Sequence, residues 1–542
     1  MLNIFQQLQA HAQQCPYSVA LWHNSGQDQS TSTTFSELAM MARHFAAAFQ
    51  KKAPDAVILP MYLSKSAECV AAMIGAIGAG KTFACLNKKL RPPQINAILH
   101  DSSATLGLID TYGTMTLRSE FKIDSKIAQT NWWLLHDQNT PAPHKKAISD
   151  MRNASRVEDW PFNNEIEDSV AIPKLNNDPQ RTGCCLFTSG STGTPKGVLI
   201  TEFDLRKRAS AEINWFGLSK DDVLLSLLPF SFDVGLNQLL SALTVGCTLV
   251  LSDSWLPADI LKAVTEFKVT GISGVPAIWV DMLNASMYFD TTNEHASLRY
   301  ITISGGDLNQ HYLEQLPKLA PNVDIFKTYG QTEAFRATSL HPKDFHTKPT
   351  SVGQPFEGVN VYIVREDGTK CNANEVGEVV HTGLGVMLGY LSDDHSQNKL
   401  RPNPFIGEHD NSHLAIFTGD MGYFDEDGYL FLQGRSDTML KVAGNRIYLK
   451  EIINQILTIE SVQETEVIGI KTNTGDTDLF AFVVLAADAN VTSIQIRRQL
   501  ASLLPSYMVP RQVIIMAFIP RTASGKPDYP VLIEHAKNIL KS

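Results

Sequence analysis

The 542-residue sequence has no excess of positive charge: 46 Lys and Arg face 56 Asp and Glu, a formal net charge of −10. That balance offers little to a nucleic-acid backbone or an anionic lipid surface, so no nucleic acid and no membrane is expected as a partner. No apolar run reaches the length of a membrane span. The opening MLNIFQQLQAHAQQC lacks a basic start and an unbroken apolar stretch, so no secretory signal peptide is expected. Leu2, Ile4, Phe5, Leu8 and Ala12 would instead share one face of a helix. The seven cysteines show no CxxC or other metal-ligand spacing, and several sit in apolar runs such as Cys184-Cys185. They read as reduced, buried thiols of a cytoplasmic protein. Internal repeats and low-complexity tracts are missing as well. What remains is ordinary globular composition, 44% apolar and 19% charged, at a length suited to several cores.

The pattern alternates helix and strand. Ser36 to Phe49 reads as helix, Ala56 to Met61 as strand, Ser64 to Ile77 as helix and Phe83 to Leu86 as strand. Residues 139–181 are polar and irregular and are expected to be loop-rich. Alternation resumes with strand Val223 to Leu228, helix Val234 to Val245, strand Thr248 to Leu251 and helix Pro257 to Phe267. Residues Val359 to Leu391 turn mostly β, which suits a small sheet or distorted barrel. The fold class predicted is α/β, with doubly wound subdomains and a small barrel in a large N-terminal domain. A smaller α+β unit begins near Gly434, giving expected domains of 1–434 and 435–542.

Residues 188–197, TSGSTGTPKG, place three glycines and five hydroxyls between an apolar run and a β-prone run. Such a loop can wrap phosphate oxygens with backbone N–H groups and hydroxyls, and Lys196 adds a point charge. A second glycine cluster, GAIGAGKT at 75–82, fits the Walker A pattern letter for letter. Its context is reversed, because a helix precedes it and a strand follows. Its glycines therefore read as a helix C-terminus, whose dipole repels phosphate.

TSGSTGTPKG resembles the phosphate-binding signature of the AMP-forming adenylating enzymes, the superfamily of acyl-CoA synthetases, luciferases and peptide-synthesis adenylation domains. The resemblance continues in chain order through Tyr329-Gly-Gln-Thr-Glu333, Phe417-Thr-Gly-Asp420, Gly434-Arg-Ser-Asp437 and Pro520-Arg-Thr-Ala-Ser-Gly-Lys526. It implies ATP and Mg²⁺ as cofactors. An ATP site is implied at Thr188, Ser189, Gly190, Ser191, Thr192, Gly193, Thr194 and Lys196 in the loop. Gly305, Gly306 and Asp307 would follow, with Thr328, Tyr329, Gly330, Gln331 and Thr332 beyond them. Tyr329 would stack on adenine, and Glu333 with Thr192 would hold the metal. Asp420 and Arg435 would bind the ribose, and Asp437 would be the hinge of the small domain. Lys526 would be the catalytic ammonium of adenylation, with Thr192 and Glu333 beside it. Gly444-Asn-Arg-Ile447 resembles the loop that faces an incoming phosphopantetheine thiol.

Phe230-Ser-Phe-Asp233 resembles the FDxS-type motif of amino-acid adenylation domains, with Gly235 in place of its Ser. Asp233 would bind the substrate ammonium; the plainer role for such an Asp is a helix N-cap. Aligned by motif, the rest of the pocket is Val234, Asn237, Ser273, Thr302, Ser304, Thr328, Arg336 and Ala337. Arg336 either plugs the pocket floor, leaving room for glycine or alanine, or pairs with a side-chain carboxylate. No Gly-x-Asp-Ser-Leu-type pantetheine site follows Lys526, so the acceptor is expected to be a separate phosphopantetheinylated carrier protein. The chain is similar to free-standing amino-acid–carrier-protein ligases, among them the glycine-activating ligase of lipid A modification. The expected reaction converts a small amino acid, glycine first, and ATP to aminoacyl-AMP, then moves the acyl group to the carrier thiol. The alternative is an acyl-CoA synthetase for an acid without an amino group.

Overall fold

The computed structural model describes residues 2–23, 30–122, 125–135, 157–160, 178–189, 195–306, 308, 310–392, 399–407, 410, 412–435, 439–442, 445–471, 477–486, 489–522 and 525–541. Two large sheets form its body, in keeping with the alternation of the sequence. The first has nine strands in the order Gln354–Pro355, Thr338–Leu340, Asp324–Tyr329, Tyr300–Ile303, Gly271–Gly274, Val223–Ser226, Thr248–Leu251, Val19–His23 and Thr31–Thr34. Its six middle strands, from Asp324–Tyr329 to Val19–His23, run parallel. The second has eight: Gly389–Tyr390, Pro195–Thr201, Thr182–Ser189, Thr82–Cys85, Ile58–Tyr62, Leu106–Asp110, Asn131–Leu135 and Val157–Asp159. Helices Phe35–Lys52, Ala67–Gly78 and Asp233–Val245 lie between them. One apolar cluster runs through all three, joining Phe45 and Phe49, Val70 and Ile74, and Leu239 and Leu243 to Phe83 and Leu249 of the two sheets. Near-complete burial of helix Ala67–Gly78 explains its almost uniformly apolar sequence.

The reading of residues 139–181 as loop needs one correction. Val157–Asp159 forms the edge strand of the second sheet, pairing in parallel with Asn131–Leu135. Two acidic residues in three hide it, because an edge strand needs to bury only one side chain. The Walker-like segment behaves as its context predicts. The helix ends at Gly78, Gly80 takes a positive φ, and the strand begins at Thr82. Buried Lys81 spends its ammonium on the carbonyls of Pro54 and Ala56, at 2.9 and 2.6 Å.

Lys65 joins the two sheets. It stands just before helix Ala67–Gly78, and its ammonium donates to the carbonyls of Ser226, Leu227 and Ser252 at the ends of first-sheet strands. Asp253 lies 3.6 Å away. Burial pulls this lysine down to about 8 despite the Asp253 carboxylate.

A third, antiparallel sheet stands where the small barrel was expected. Its long strand Leu414–Phe424 pairs with Gly377–Gly383 along one edge, and on the other with Leu400–Pro402 at its start and Leu430–Arg435 at its end. Toward the C-terminus, Val462–Lys471, Thr477–Leu485 and Gln512–Met516 form a three-stranded sheet with helices Leu449–Ile456 and Ser493–Leu503. Among the described residues no helix is long and apolar enough to cross a membrane.

His381, on Gly377–Gly383, is fully buried and bonds the Leu384 carbonyl at 2.8 Å. Burial drives it from its ordinary 6.5 down to about 4, so the folded chain keeps it neutral. Below pH 6.5 the unfolded chain takes up a proton that the folded chain refuses, and stability falls as pH drops toward 4. The loss across that window is on the order of 3 kcal/mol. Urea midpoints of the wild type and His381→Gln, measured over that range, should show a shallower acid decline in the variant; parallel declines would assign the acid sensitivity elsewhere.

Candidate active site

The site forms where strands of both sheets end, the usual place for a ligand in an open α/β sheet. From the second sheet comes the hairpin Thr182–Ser189 and Pro195–Thr201, which brings Thr188 opposite Lys196. Gly190, Ser191, Thr192, Gly193 and Thr194 at its tip lie outside the described residues, as do the side chain of Ser189, Asp307, the hinge candidate Asp437 and Gly444.

From the first sheet come the pocket candidates. Asp233 opens helix Asp233–Val245 and is 7% exposed. Its carboxylate accepts the adjacent Val234 N–H at 2.8 Å, while the residue at the N-cap position, Phe232, makes no side-chain cap bond. The capping role, which needs a donor two or three residues on, is therefore not the geometry adopted. The Ser-to-Gly departure has a local cause: a Cβ on Gly235 would sit 2.5 Å from the Pro229 carbonyl oxygen. Burial pushes the Asp233 carboxyl up, opposed by Arg336, Lys526 and Arg208. Val234 packs into an apolar cluster with Leu225 and Val275, and Ala337 into another with Phe356 and Val359.

The polar candidates converge. The hydroxyls of Thr302 and Ser304 lie 3.3 Å apart, and those of Ser304 and Thr328 lie 2.7 Å apart. Arg336 Nη1 donates to Ser304 at 3.2 Å and to Thr328 at 2.6 Å. Its Nη2 reaches Glu212 Oε1 at 3.2 Å, an ion pair between two buried side chains. The turn that aims it is tight: Ala337 N–H donates to the Tyr329 carbonyl, and a Cβ on Gly330 would meet the Arg336 nitrogen at 2.5 Å. Arg336 holds a left-handed φ of 53°, a strain on the order of 1 kcal/mol that the turn must absorb. Asn237 Nδ2 and Ser273 Oγ are buried and find no hydrogen-bond partner among the described residues, so the pocket keeps donors for a guest.

A second group gathers at the third sheet. Tyr329 Oη and Gln331 Nε2 both donate to Asp420 Oδ2 at 2.6 Å. Arg435 is the cross-strand partner of Asp420, with Nη1 at 3.8 Å from Oδ1. Burial, and then the Asp420 carboxylate, push the Tyr329 phenol up, so it stays a donor. Glu333 accepts from Tyr390 Oη at 2.7 Å and Lys399 Nζ at 3.2 Å, both on Oε1. Burial would raise its carboxyl, but Lys399 and Tyr390 outweigh that and hold it below the usual range. Thr332 lies half-buried between these groups, and Gly305 and Gly306 follow strand Tyr300–Ile303.

The C-terminal unit carries Lys526 in. Tyr312 Oη donates to the Gln463 carbonyl at 3.1 Å, and Arg521 pairs with Glu464. The following loop turns at Gly525, whose surroundings are Trp255, Val275 and Ala277 of the first-sheet side. Exposed Lys526 lies near enough to Asp233 to favour its charged form.

Beside this site a cavity of about 420 Å³ opens between the sheets. Met61, Leu63, Leu227 and Phe230 form apolar wall, and Lys88, Lys89 and Asp253 are charges on it. Cys69 and Cys85 line it too; their mutual hydrogen bond, then burial, push the Cys85 thiol far up. Among the described residues no cluster of three His, Cys, Asp or Glu could hold a metal alone.

Sequence reasoning missed Glu212, Arg208, Tyr390 and Lys399. None belongs to a motif, and each meets its partner only through the fold.

Paired α/β sheets and a C-terminal unit that brings Lys526 near Asp233 give the architecture of the AMP-binding enzymes. The chain belongs to the AMP-binding enzyme family, whose pattern matches residues 8–391, with the AMP-binding enzyme C-terminal domain matching 451–526. It is 27% identical over 508 residues to gramicidin S synthase 2 of Brevibacillus brevis, covering 92% of this chain and 10% of that one. Bacitracin synthase 3 of Bacillus licheniformis is 31% identical over 362 residues, 66% of this chain and 6% of its own. The chain thus spans a tenth or less of the length of these relatives. Its fold is also seen in solved structures. The anthranilate CoA ligase AuaEII in complex with anthranoyl-AMP has a TM-score of 0.79 at 22% identity, covering 100% of this chain and 98% of that one. ATP-bound MatB from Rhodopseudomonas palustris has a TM-score of 0.82 at 20% identity, covering 99% of each.

Lys399→Met should leave burial in charge of Glu333 and raise its pKa. The acid limb of the activity profile should then move to higher pH in ATP-dependent adenylation assays; an unmoved limb would remove Glu333 from the rate.

Proposed function

We propose that this protein activates a small amino acid, glycine first, as aminoacyl-AMP and passes it to a phosphopantetheine thiol on a separate carrier protein. One observation carries the reading: a buried carboxylate, Asp233, at a pocket whose far side is the polar Arg336 network, with Lys526 nearby. A buried carboxylate suits an ammonium, and a floor of hydroxyls and a guanidinium suits no long acyl chain. Of the ligases the sequence resembles, the glycine-activating one of lipid A modification fits this pocket best.

In the first step an oxygen of the amino-acid carboxylate attacks the α-phosphorus of ATP. The new P–O bond forms as the bond to the pyrophosphate oxygen breaks, and pyrophosphate leaves. Negative charge grows on the α-phosphate, and the Lys526 ammonium stabilises it. Asp233 holds the ammonium and so fixes the direction of the attacking carboxylate. Asp420 and Arg435 serve the ribose, while Tyr329 presents its ring to adenine. Glu333 and Thr192 would hold Mg²⁺, which would supply charge neutralisation at the phosphates; a carboxylate kept in its charged form by Lys399 and Tyr390 suits a hard cation. In the second step a thiol sulfur attacks the acyl carbon, the bond to the AMP oxygen breaks, and the thiol proton leaves to solvent. The mostly apolar cavity with Lys88 and Lys89 suits an arm that ends in phosphate.

Pyrophosphate release with each amino acid, both alanine enantiomers and fatty acids tests the reading, and turnover only with acids lacking an α-amino group would replace it with an acyl-CoA synthetase. Lys526→Ala should slow adenylation by about two to three orders of magnitude yet spare thioester formation from supplied adenylate. Equal loss in both half-reactions would remove the lysine from that role. Asp233→Ala should raise the amino-acid KM by about tenfold or more with little change for ATP. A matched rise in both would assign Asp233 to local structure.

A further inference from the structure

Arg336 alone would be a trap for acidic side chains, since a buried guanidinium draws carboxylates strongly. We propose that Glu212 is the residue that prevents this: it neutralises Arg336 and holds it as a plug across the pocket floor, so that the site takes a side-chain-free amino acid and refuses aspartate and glutamate. The proposal rests on the amino-acid reading above and names the residue that narrows it.

Three observations carry it. Glu212, on helix Glu202–Phe216, is anchored from two sides, with Oε1 on Arg336 Nη2 at 3.2 Å and Oε2 accepting from Ser241 at 3.2 Å. The guanidinium is thereby held between Glu212 on one terminal nitrogen and Ser304 and Thr328 on the other. Behind it, the void shared by Arg208, Glu212 and Arg336 measures about 10 Å³, no more than one water occupies. The side chain therefore has nowhere to retreat when a larger substrate arrives. Finally, the second guanidinium at this void, Arg208, is held by the Gly385 carbonyl and the Phe335 ring, 4.4 Å from its centroid, and Arg336 is the cation that Glu212 answers. The substrate's ammonium answers Asp233 and its reacting carboxylate faces Lys526, whereas a second carboxylate would have to displace Glu212 from Arg336 inside a closed interior.

Glu212 does not touch the substrate and acts through Arg336, so it is a positioning residue. Its test is a change of substrate, which a merely structural role would not produce. On the full-length chain, pyrophosphate release is measured with glycine, L-alanine, L-aspartate and L-glutamate for wild type, Glu212→Gln, Arg336→Met and the double variant. Glu212→Gln keeps shape and removes the charge, and it should raise kcat/KM for aspartate by about tenfold or more, through KM, while glycine turnover falls. The double variant should lose that gain. Arg336→Met should admit alanine but not aspartate, and it decides the matter should Glu212→Gln fail to fold. Persisting glycine turnover in Glu212→Gln without any gain for aspartate would overturn the proposal, as would an Arg336→Met that stays confined to glycine. A wild type that already takes aspartate as well as glycine would overturn it while leaving the amino-acid reading intact. A wild type that turns over only acids without an amino group would overturn both.

Discussion

The placement of Lys65 is the constraint on which the site depends. The hairpin that offers Thr188 and Lys196 belongs to one sheet, and the pocket of Asp233 and Arg336 belongs to the other. Among the described residues no strand pairing ties the two sheets together. A buried ammonium bonded to three carbonyls at the strand ends of the opposite sheet does so, and it links the side that carries Thr188 and Lys196 to the side that carries Asp233 and Arg336. The depressed pKa of this lysine shows that the position costs something. A buried ammonium is tolerated because those carbonyls would otherwise face an apolar cleft without donors.

From that junction outward, the site is organised by pairing rather than by single residues. Asp420 is shared among Tyr329, Gln331 and Arg435, so the group at the third sheet is ordered by its own contacts. Lys399 links it to Glu333, bonding Gln331 Oε1 at 3.1 Å and the glutamate at 3.2 Å. The same logic holds at the floor, where hydroxyls of two neighbouring strand ends and a helix carboxylate converge on one guanidinium. Such preorganisation lowers the cost of ordering charged groups when a ligand binds.

Much of this was legible in the sequence, and the reasons are local. Strand Thr248–Leu251 and helix Pro257–Phe267 appear with the bounds read from the residues, because Gly246 and Pro257 mark the breaks. Candidates from distant motifs, Tyr329 with Asp420 and Arg435, meet in one place because Tyr329 and Arg435 end their strands and Asp420 pairs across the sheet with Arg435. Glu212 and Lys399 were invisible for the converse reason. A single glutamate in an ordinary helix, or a lysine after a polar run of sequence, has no period or spacing that announces its partner. Strand Val157–Asp159 escaped notice because its two charged residues point away from any core.

The cysteines that line the inter-sheet cavity have a consequence for chemical fidelity. A mixed anhydride of an amino acid and AMP acylates any thiolate within reach, and a protein that makes one beside its own sulfur risks modifying itself. Here Cys85 shares a hydrogen bond with Cys69 inside the wall and is held as the neutral thiol, far from thiolate at neutral pH. In the proposed reaction, an acceptor thiol entering this cavity would therefore not compete with Cys85 for the activated acyl group.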